Sequence, residues 1–214
     1  YKEEQHNPLI ESDEVRRTRG AVTYNFSPQS KPLEPFKRLI KSKSPWFGLI
    51  KDLNITPLPS LISVKADLFR QFGALRPRNV GGGPYKIPES YNKFFLFDRY
   101  YILNWDLTRS IRIDYMAVNH ARVDEPFGRI DTKAEKDSIR KNLFKGGRTT
   151  HFGQDVNISY NLPTSKLPLL DWTTLRATYT ASFDWNAASL LAKSLGNTLM
   201  NGQTKNATGE FNFD

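Results

Sequence analysis

From Thr174 to Ala187 the residues sort by parity. Leu175, Ala177, Tyr179, Ala181, Phe183, Trp185 and Ala187 hold the odd positions, and Thr174, Arg176, Thr178, Thr180, Ser182, Asp184 and Asn186 hold the even ones. Side chains of a strand alternate between its two faces, so this segment has one apolar, aromatic face and one polar face. A helix would scatter both classes around its circumference. Upstream, Phe152, Val156, Ile158, Tyr160 and Leu162 share one parity against His151, Asp155, Asn157, Ser159 and Asn161. Pro163 and Pro168 between the two runs break pairing and mark a turn. A long hairpin over about 150–187 is expected.

A second hairpin is expected over about 97–123. Tyr101, Leu103, Trp105 and Leu107 alternate with Ile102, Asn104, Asp106 and Thr108, and Ile111, Ile113, Tyr115 and Ala117 continue the apolar parity. One uninterrupted strand here would extend ~80 Å, far beyond a bilayer. A three-residue turn at Thr108, Arg109 and Ser110 places Leu107 opposite Ile111 and keeps the apolar parity on one face. Shorter alternations at Val22, Tyr24 and Phe26 and at Ile62, Val64, Ala66 and Leu68 predict two more strands, and Phe211 and Phe213 begin another. About seven strands with no strand–helix alternation exclude a doubly wound fold. The pattern lapses near 32–54, 76–91, 126–148 and 188–209. The first of these suits an amphipathic helix or interfacial loop, and the second, with Gly81, Gly82 and Gly83, a mobile loop. The third holds a short polar helix from Thr132 to Phe144 capped at Gly146 and Gly147, and the last reads as a long Asn/Gly/Thr-rich loop.

One-sided alternation also occurs in a soluble β-sandwich. Two features favour a transmembrane barrel. The run from Trp172 to Ala187 is far longer than the usual globular strand of ~5 to 6 residues. The aromatic residues lie on apolar faces near strand ends, as in interfacial girdles. Arg176, Asp184, Asp106, Arg112 and Asp114 make the opposite face too charged for a core but suit a water-filled lumen. Tyr101, Leu103, Trp105, Leu107, Val156, Ile158, Tyr160, Leu175, Tyr179, Phe183 and Trp185 are thus expected to face lipid. Asp155, Asn157, Arg176, Asp184 and Asn186 are expected to face the lumen. Small barrels close at about eight strands and leave no channel. The chain begins at Tyr1 and stops at Asp214 within an alternating run, so it is expected to be one section of a much larger barrel. The fold class expected is all-β: an antiparallel transmembrane β-barrel sector with short helical loop segments.

Composition changes this picture little. A mean hydropathy of -0.55 argues against a helical membrane protein but not against a barrel, whose strands need only every second residue apolar. No cysteine is present, which excludes disulfides, thiolate metal sites and cysteine nucleophiles. The net charge of +9 is strewn through loops and polar faces without a tight Lys/Arg tract, so no nucleic-acid partner is expected. Lys37, Arg38, Lys41 and Lys43 beside Trp46 and Phe47 either bind anionic headgroups or form a wet loop face. His6, His120 and His151 are widely separated and lack ligand spacing, and the glycine run lacks the continuation of a phosphate loop. Asp98, Asp106, Asp114, Asp124 and Asp131 read as a solvated face rather than as acid–base pairs. No catalytic residue, cofactor or metal is assigned.

A set of short motifs carries a family resemblance. Gly147-Arg148-Thr149-Thr150-His151, Asn157-Ile158-Ser159-Tyr160-Asn161-Leu162-Pro163 and Pro168-Leu169-Leu170-Asp171-Trp172-Thr173 resemble segments of the SprA/Sov family. So do Ala181-Ser182-Phe183-Asp184-Trp185, Leu195-Gly196-Asn197-Thr198, Leu33-Glu34-Pro35-Phe36-Lys37, Asn104-Trp105-Asp106-Leu107-Thr108 and Ala121-Arg122-Val123-Asp124-Glu125-Pro126. The ordered set runs from about Arg17 to Phe213. That family is the giant outer-membrane translocon of the type 9 secretion system, also needed for gliding motility, and its members are many times longer. The resemblance implies a wide protein-conducting pore in the bacterial outer membrane, not an enzyme. It implies as partners outer-membrane lipid, secreted cargo proteins with a C-terminal signal, a cargo shuttle barrel and a periplasmic plug protein. The segments around 32–54 and 126–148 would then pack as periplasmic or plug-contacting elements. Two other readings share the strand pattern: a nutrient transporter barrel of the TonB-dependent type, and a soluble all-β cell-surface binding module.

Overall fold

Each strand pairs with its neighbour in sequence, and that single rule generates the sheet. In the computed structural model, which describes residues 1–37, 53–166 and 170–211, eight strands follow one another in the order β1 to β8 in one mostly antiparallel, unclosed sheet. They are β1 (Lys2–Gln5), β2 (Ile10–Phe26), β3 (Leu61–Pro77), β4 (Ser90–Trp105), β5 (Ile111–Arg122), β6 (Arg148–Leu162), β7 (Thr173–Asn186) and β8 (Thr198–Phe211). The helix α1 (Lys133–Phe144) stands between β5 and β6. The 17 residues of β2 or of β3 extend about 56 Å. The chain resolves into two compact units: residues 1–22, 65–99 and 119–151, and residues 23–64, 100–118 and 152–214.

Both expected hairpins form, as β4–β5 and β6–β7. The two weaker strands are much longer than their apolar alternation. The loop expected over 188–209 is corrected: only its first part is a loop, and Thr198–Phe211 is a full strand. Neither parity of β8 is apolar, so alternation gives no sign of it. Pairing supplies it instead, with Thr173 opposite Phe211 at one end of β7 and Asn186 opposite Thr198 at the other. Gly202 lies opposite Ser182, and a Cβ there would stand 2.7 Å from the Ser182 hydroxyl oxygen, so a larger residue would oblige that hydroxyl to rotate away. The segment proposed as helix or interfacial loop over 32–54 falls mostly on residues 38–52, outside the described residues; its flanks meet in a bridge between Leu33 and Ile55.

Leu107 also departs from expectation. It lies outside β4, which ends at Trp105, and its carbonyl accepts a bond from the Thr56 amide at 2.8 Å. The Asn104 carbonyl is likewise taken by the Ser60 amide at 2.8 Å. The stretch near 54–60, which leads into β3, thus bonds to the end of β4 and to the turn that follows it. The turn is closed by Thr108, whose hydroxyl accepts from the Ile111 amide at 2.8 Å.

Helix α1 forms where its ends are signalled. Thr132 and Glu135 make a reciprocal capping box, with the Thr132 amide donating to the Glu135 carboxylate at 2.9 Å and the Glu135 amide donating to the Thr132 hydroxyl. At the other end the Gly147 amide donates to the Asn142 carbonyl at 3.0 Å. Gly147 has φ +71, and a Cβ there would stand 3.0 Å from the Arg122 carbonyl oxygen; both facts demand glycine. One face of the helix, Ile139 and Leu143, packs on Phe95 and Val123, with Leu68, Phe97 and Ile130 around them. Buried hydrophobic residues elsewhere among the described residues are only Ala74, Ala117 and Ala121.

Thr132→Ala removes the cap and is expected to lower stability by about 1 kcal/mol. The midpoint of denaturant unfolding measures it, and an unmoved midpoint would show that α1 is held by packing alone.

Candidate functional surfaces

The apolar parities of successive strands fall on one side of the sheet. In the second unit, Phe152 of β6 meets Phe183 of β7 with ring centroids 6.1 Å apart, and the Tyr115 hydroxyl of β5 donates to Gln154 of β6 at 3.1 Å. Tyr101, Leu103 and Trp105 of β4, Val156 and Ile158 of β6, and Leu175, Tyr179, Phe183 and Trp185 of β7 are half-buried, and Tyr160 is exposed. The Trp105 indole donates to the Thr56 carbonyl at 2.8 Å, which gives its one polar atom a partner. Ile158, Ala177, Tyr179 and Ala207 line an open, mainly apolar depression of about 470 Å³, with the Lys205 ammonium 5.9 Å from the Tyr179 ring. Toward β2 the same alternation leaves Val22, Tyr24 and Phe26 exposed. Of the residues expected to face lipid, all but Leu107 therefore sit in strands on shared apolar parities.

The polar parities come together on the other side. Thr180 of β7 donates to Asn157 of β6 at 3.3 Å, and Asn186 donates to Asp184 at 2.5 Å. Asp155 and Arg176 are exposed. Arg19 of β2 grips Asp67 of β3 through two bonds, at 3.2 and 2.8 Å, and Arg17 donates to Gln71 at 3.0 Å. The histidines read as unrelated are in part neighbours: His120 and His151 stack with centroids 5.5 Å apart, and His120 Nδ1 lies 2.8 Å from the Asp98 carboxylate. Adjacent-strand register brings them together, which spacing along the chain does not reveal. No set of three metal-ligating side chains occurs among the described residues.

The first unit holds a cluster that sequence reasoning missed. The Arg129 guanidinium donates twice to Glu89, at 3.0 and 2.8 Å, and once to Glu14 at 3.3 Å. Arg76 reaches Glu89 at 3.1 Å, Arg16 pairs with Glu14, and Arg70 donates to Glu125 at 2.5 Å. The arginines lie on β2, on β3 and before α1, too far apart in sequence to form a motif. Their carboxylates sit beneath them, nearly covered, where a charge persists only if paired. The bonds from Arg129 above all, then the bond from the Tyr91 hydroxyl, hold the Glu89 carboxyl down at about 2, against the opposing effect of burial. The capping bonds from Thr132 hold the Glu135 carboxyl below its ordinary range as well.

No protein-family model matches the chain, and no curated protein matches it.

A carboxyl depressed in the folded state adds stability that is complete above its unfolded value of 4.5 and is lost as pH falls toward about 2. Glu89→Gln is accordingly expected to flatten the dependence of stability on pH within that window. Unfolding midpoints of both proteins across it test this; parallel curves would exclude the Glu89–Arg129 pair as the acid-sensitive element.

Proposed function

We propose that the chain is a wall section of a transmembrane β-barrel of the bacterial outer membrane, and that the barrel is a protein-conducting channel of the type 9 secretion system. The observation that carries the membrane part is a mismatch between sheet and core. Strands β2 to β8 run 12 to 17 residues, yet the buried hydrophobic residues described are few: Phe95, Val123 and Ile139 in the α1 cluster, and the small Ala74, Ala117 and Ala121 outside it. A water-soluble sheet of this extent would need a second layer over its apolar side. Lipid supplies that layer in a barrel, with tyrosine and tryptophan at its margins.

The strictly sequential strand order supports the same reading. Up-and-down barrels have it, whereas sandwiches interleave strands by Greek-key connections. The open edges at β1 and β8 suit a section whose neighbours continue the ladder. Strands longer than the ~9 to 11 residues that span a bilayer leave segments outside it. On β4 the parity that carries Tyr101, Leu103 and Trp105 carries Phe95 and Phe97 earlier, and these pack with α1 rather than with lipid. The translocon assignment rests on the ordered resemblance to the SprA/Sov family. In that role Arg176, Asp184 and Asn186 line a hydrated lumen, where passing cargo meets water-backed polar groups and finds no apolar surface to stick to. Cargo with a C-terminal signal, a shuttle barrel and a periplasmic plug are the partners proposed. The channel needs no catalytic residue or cofactor of its own.

Phe183→Arg is expected to cost ~2 to 4 kcal/mol at a lipid-facing site and to block insertion, whereas Arg176→Gln inserts normally. Sarkosyl fractionation and heat-modifiable gel migration of the expressed chain and of a longer parent read out both. A chain that is a monomer in water without detergent, with a cooperative melt, would sink the membrane reading in favour of a soluble binding module.

A further inference from the structure

The arginine cluster of the first unit opens onto a cavity of about 500 Å³ between the sheet and α1. Arg16, Arg70, Arg129, Lys136 and Arg140 line it, and the one acid among its lining residues is Asp131. The carboxylates that balance the arginines are behind them. The side chains of Glu14, Glu89 and Glu125 are 10%, 6% and 4% exposed, against 58%, 39% and 36% for Arg16, Arg129 and Arg70. A surface results that presents guanidinium groups outward on a buried anionic base. Arg16, Arg70 and Arg129 are oriented by these carboxylates before any ligand arrives, which removes much of the entropic cost of gripping one.

Donors remain for a ligand. Arg70 gives only its Nε to Glu125, and its terminal nitrogens have no protein acceptor among the described residues. Lys136 has no side-chain partner among them, and Arg140 reaches only Asp137, at 3.6 Å. Phe72, Ile130 and Ile139 supply an apolar wall to the same cavity. A planar carboxylate is saturated by one arginine fork, whereas a phosphate offers three or more oxygens to donors approaching from several elements. The volume falls within the ~300 to 1,000 Å³ of organic-ligand pockets, so a bare inorganic ion leaves most of it unfilled.

We propose that this cavity binds a phosphate-bearing amphiphile, its phosphate held by Arg70, Arg129, Lys136 and Arg140 and its apolar portion resting on Phe72, Ile130 and Ile139. The proposal stands whether or not the strands span a membrane. Calorimetric titration of the whole chain in non-ionic detergent tests it, with dihexanoyl phosphatidic acid, glycerol 3-phosphate and inorganic phosphate as probes. Phosphatidic acid is expected to bind, more weakly as salt is added, and more tightly than the other two. The double variant Lys136→Glu, Arg140→Glu changes only exposed helix positions and uncovers no buried carboxylate. It is expected to lose about tenfold or more in affinity with an unchanged circular dichroism spectrum, while Lys193→Glu, remote in the chain, binds as the wild type does. Equal binding of glycerol 3-phosphate would overturn the apolar half of the proposal and assign the site to a soluble phosphorylated metabolite. Absence of binding by all three, or undiminished binding by the folded double variant, would overturn it entirely.

Discussion

The backbone ladder between sequence neighbours is the interaction on which everything else here depends. Every amide and carbonyl of a strand needs a partner, and each of β2 to β7 has a hydrogen-bonded strand on both sides, while β8 has β7 on one. Strand β8 shows how far this goes: all of its residues are exposed, neither of its faces is apolar, and it still pairs with β7 along its whole length. Full burial of hydrophobic side chains is local by comparison: among the described residues it is found at Phe95, Val123 and Ile139 around α1 and at a few alanines. Among the described residues a sheet held this way leaves apolar side chains such as Val22, Tyr24 and Tyr160 exposed, and the proposed membrane setting would cover them.

Charge is organised by the same geometry. On β2 and β3 one parity carries the Arg19–Asp67 fork and the Arg17–Gln71 bond, and the other carries Glu14, Arg16, Arg70 and Arg76. Opposed residues on neighbouring strands lie close enough to pair across the ladder. Arg129, arriving from the segment before α1, ties Glu14 of β2 to Glu89 at the entrance to β4. The acid sensitivity expected of Glu89 and the donor-rich cavity above it are therefore two consequences of one arrangement.

What was legible in the sequence follows from which force shaped each element. The β6–β7 hairpin was legible because its two faces meet different surroundings and the residues record the difference. Helix α1 was legible from its ends, where Thr132, Glu135 and Gly147 answer local hydrogen-bonding needs. Strand β8 was not, because pairing rather than burial defines it and its Thr, Asn and Gly residues look like loop. The extension of β2 and β3 was missed for the same reason: their charged stretches satisfy partners across the ladder, not a solvent boundary. The cation-lined cavity was out of reach, since Arg16, Arg70, Arg129 and Arg140 converge only when β2, β3 and α1 are assembled. So was the neighbourhood of His120, His151 and Asp98, which register alone creates.

Along β4 a single parity passes from Tyr91, Lys93, Phe95, Phe97 and Arg99 to Tyr101, Leu103 and Trp105. In the first stretch the apolar rings pack with α1, Lys93 donates to the Gly128 carbonyl at 2.7 Å, and Arg99 donates to the Gly146 carbonyl at 3.1 Å. Cations placed this way are tolerable because carbonyl groups of the helix-bearing segment accept from them. In the second stretch no charge follows on that parity before the strand ends, and an indole closes it with its N–H satisfied by Thr56. The amphipathic period is constant while the chemistry it presents changes. A soluble sandwich gives no reason for such a change, because one core would back the whole strand. A proposed barrel wall does: the charged stretch belongs where water and helix meet the sheet, and the uncharged stretch belongs where hydrocarbon does.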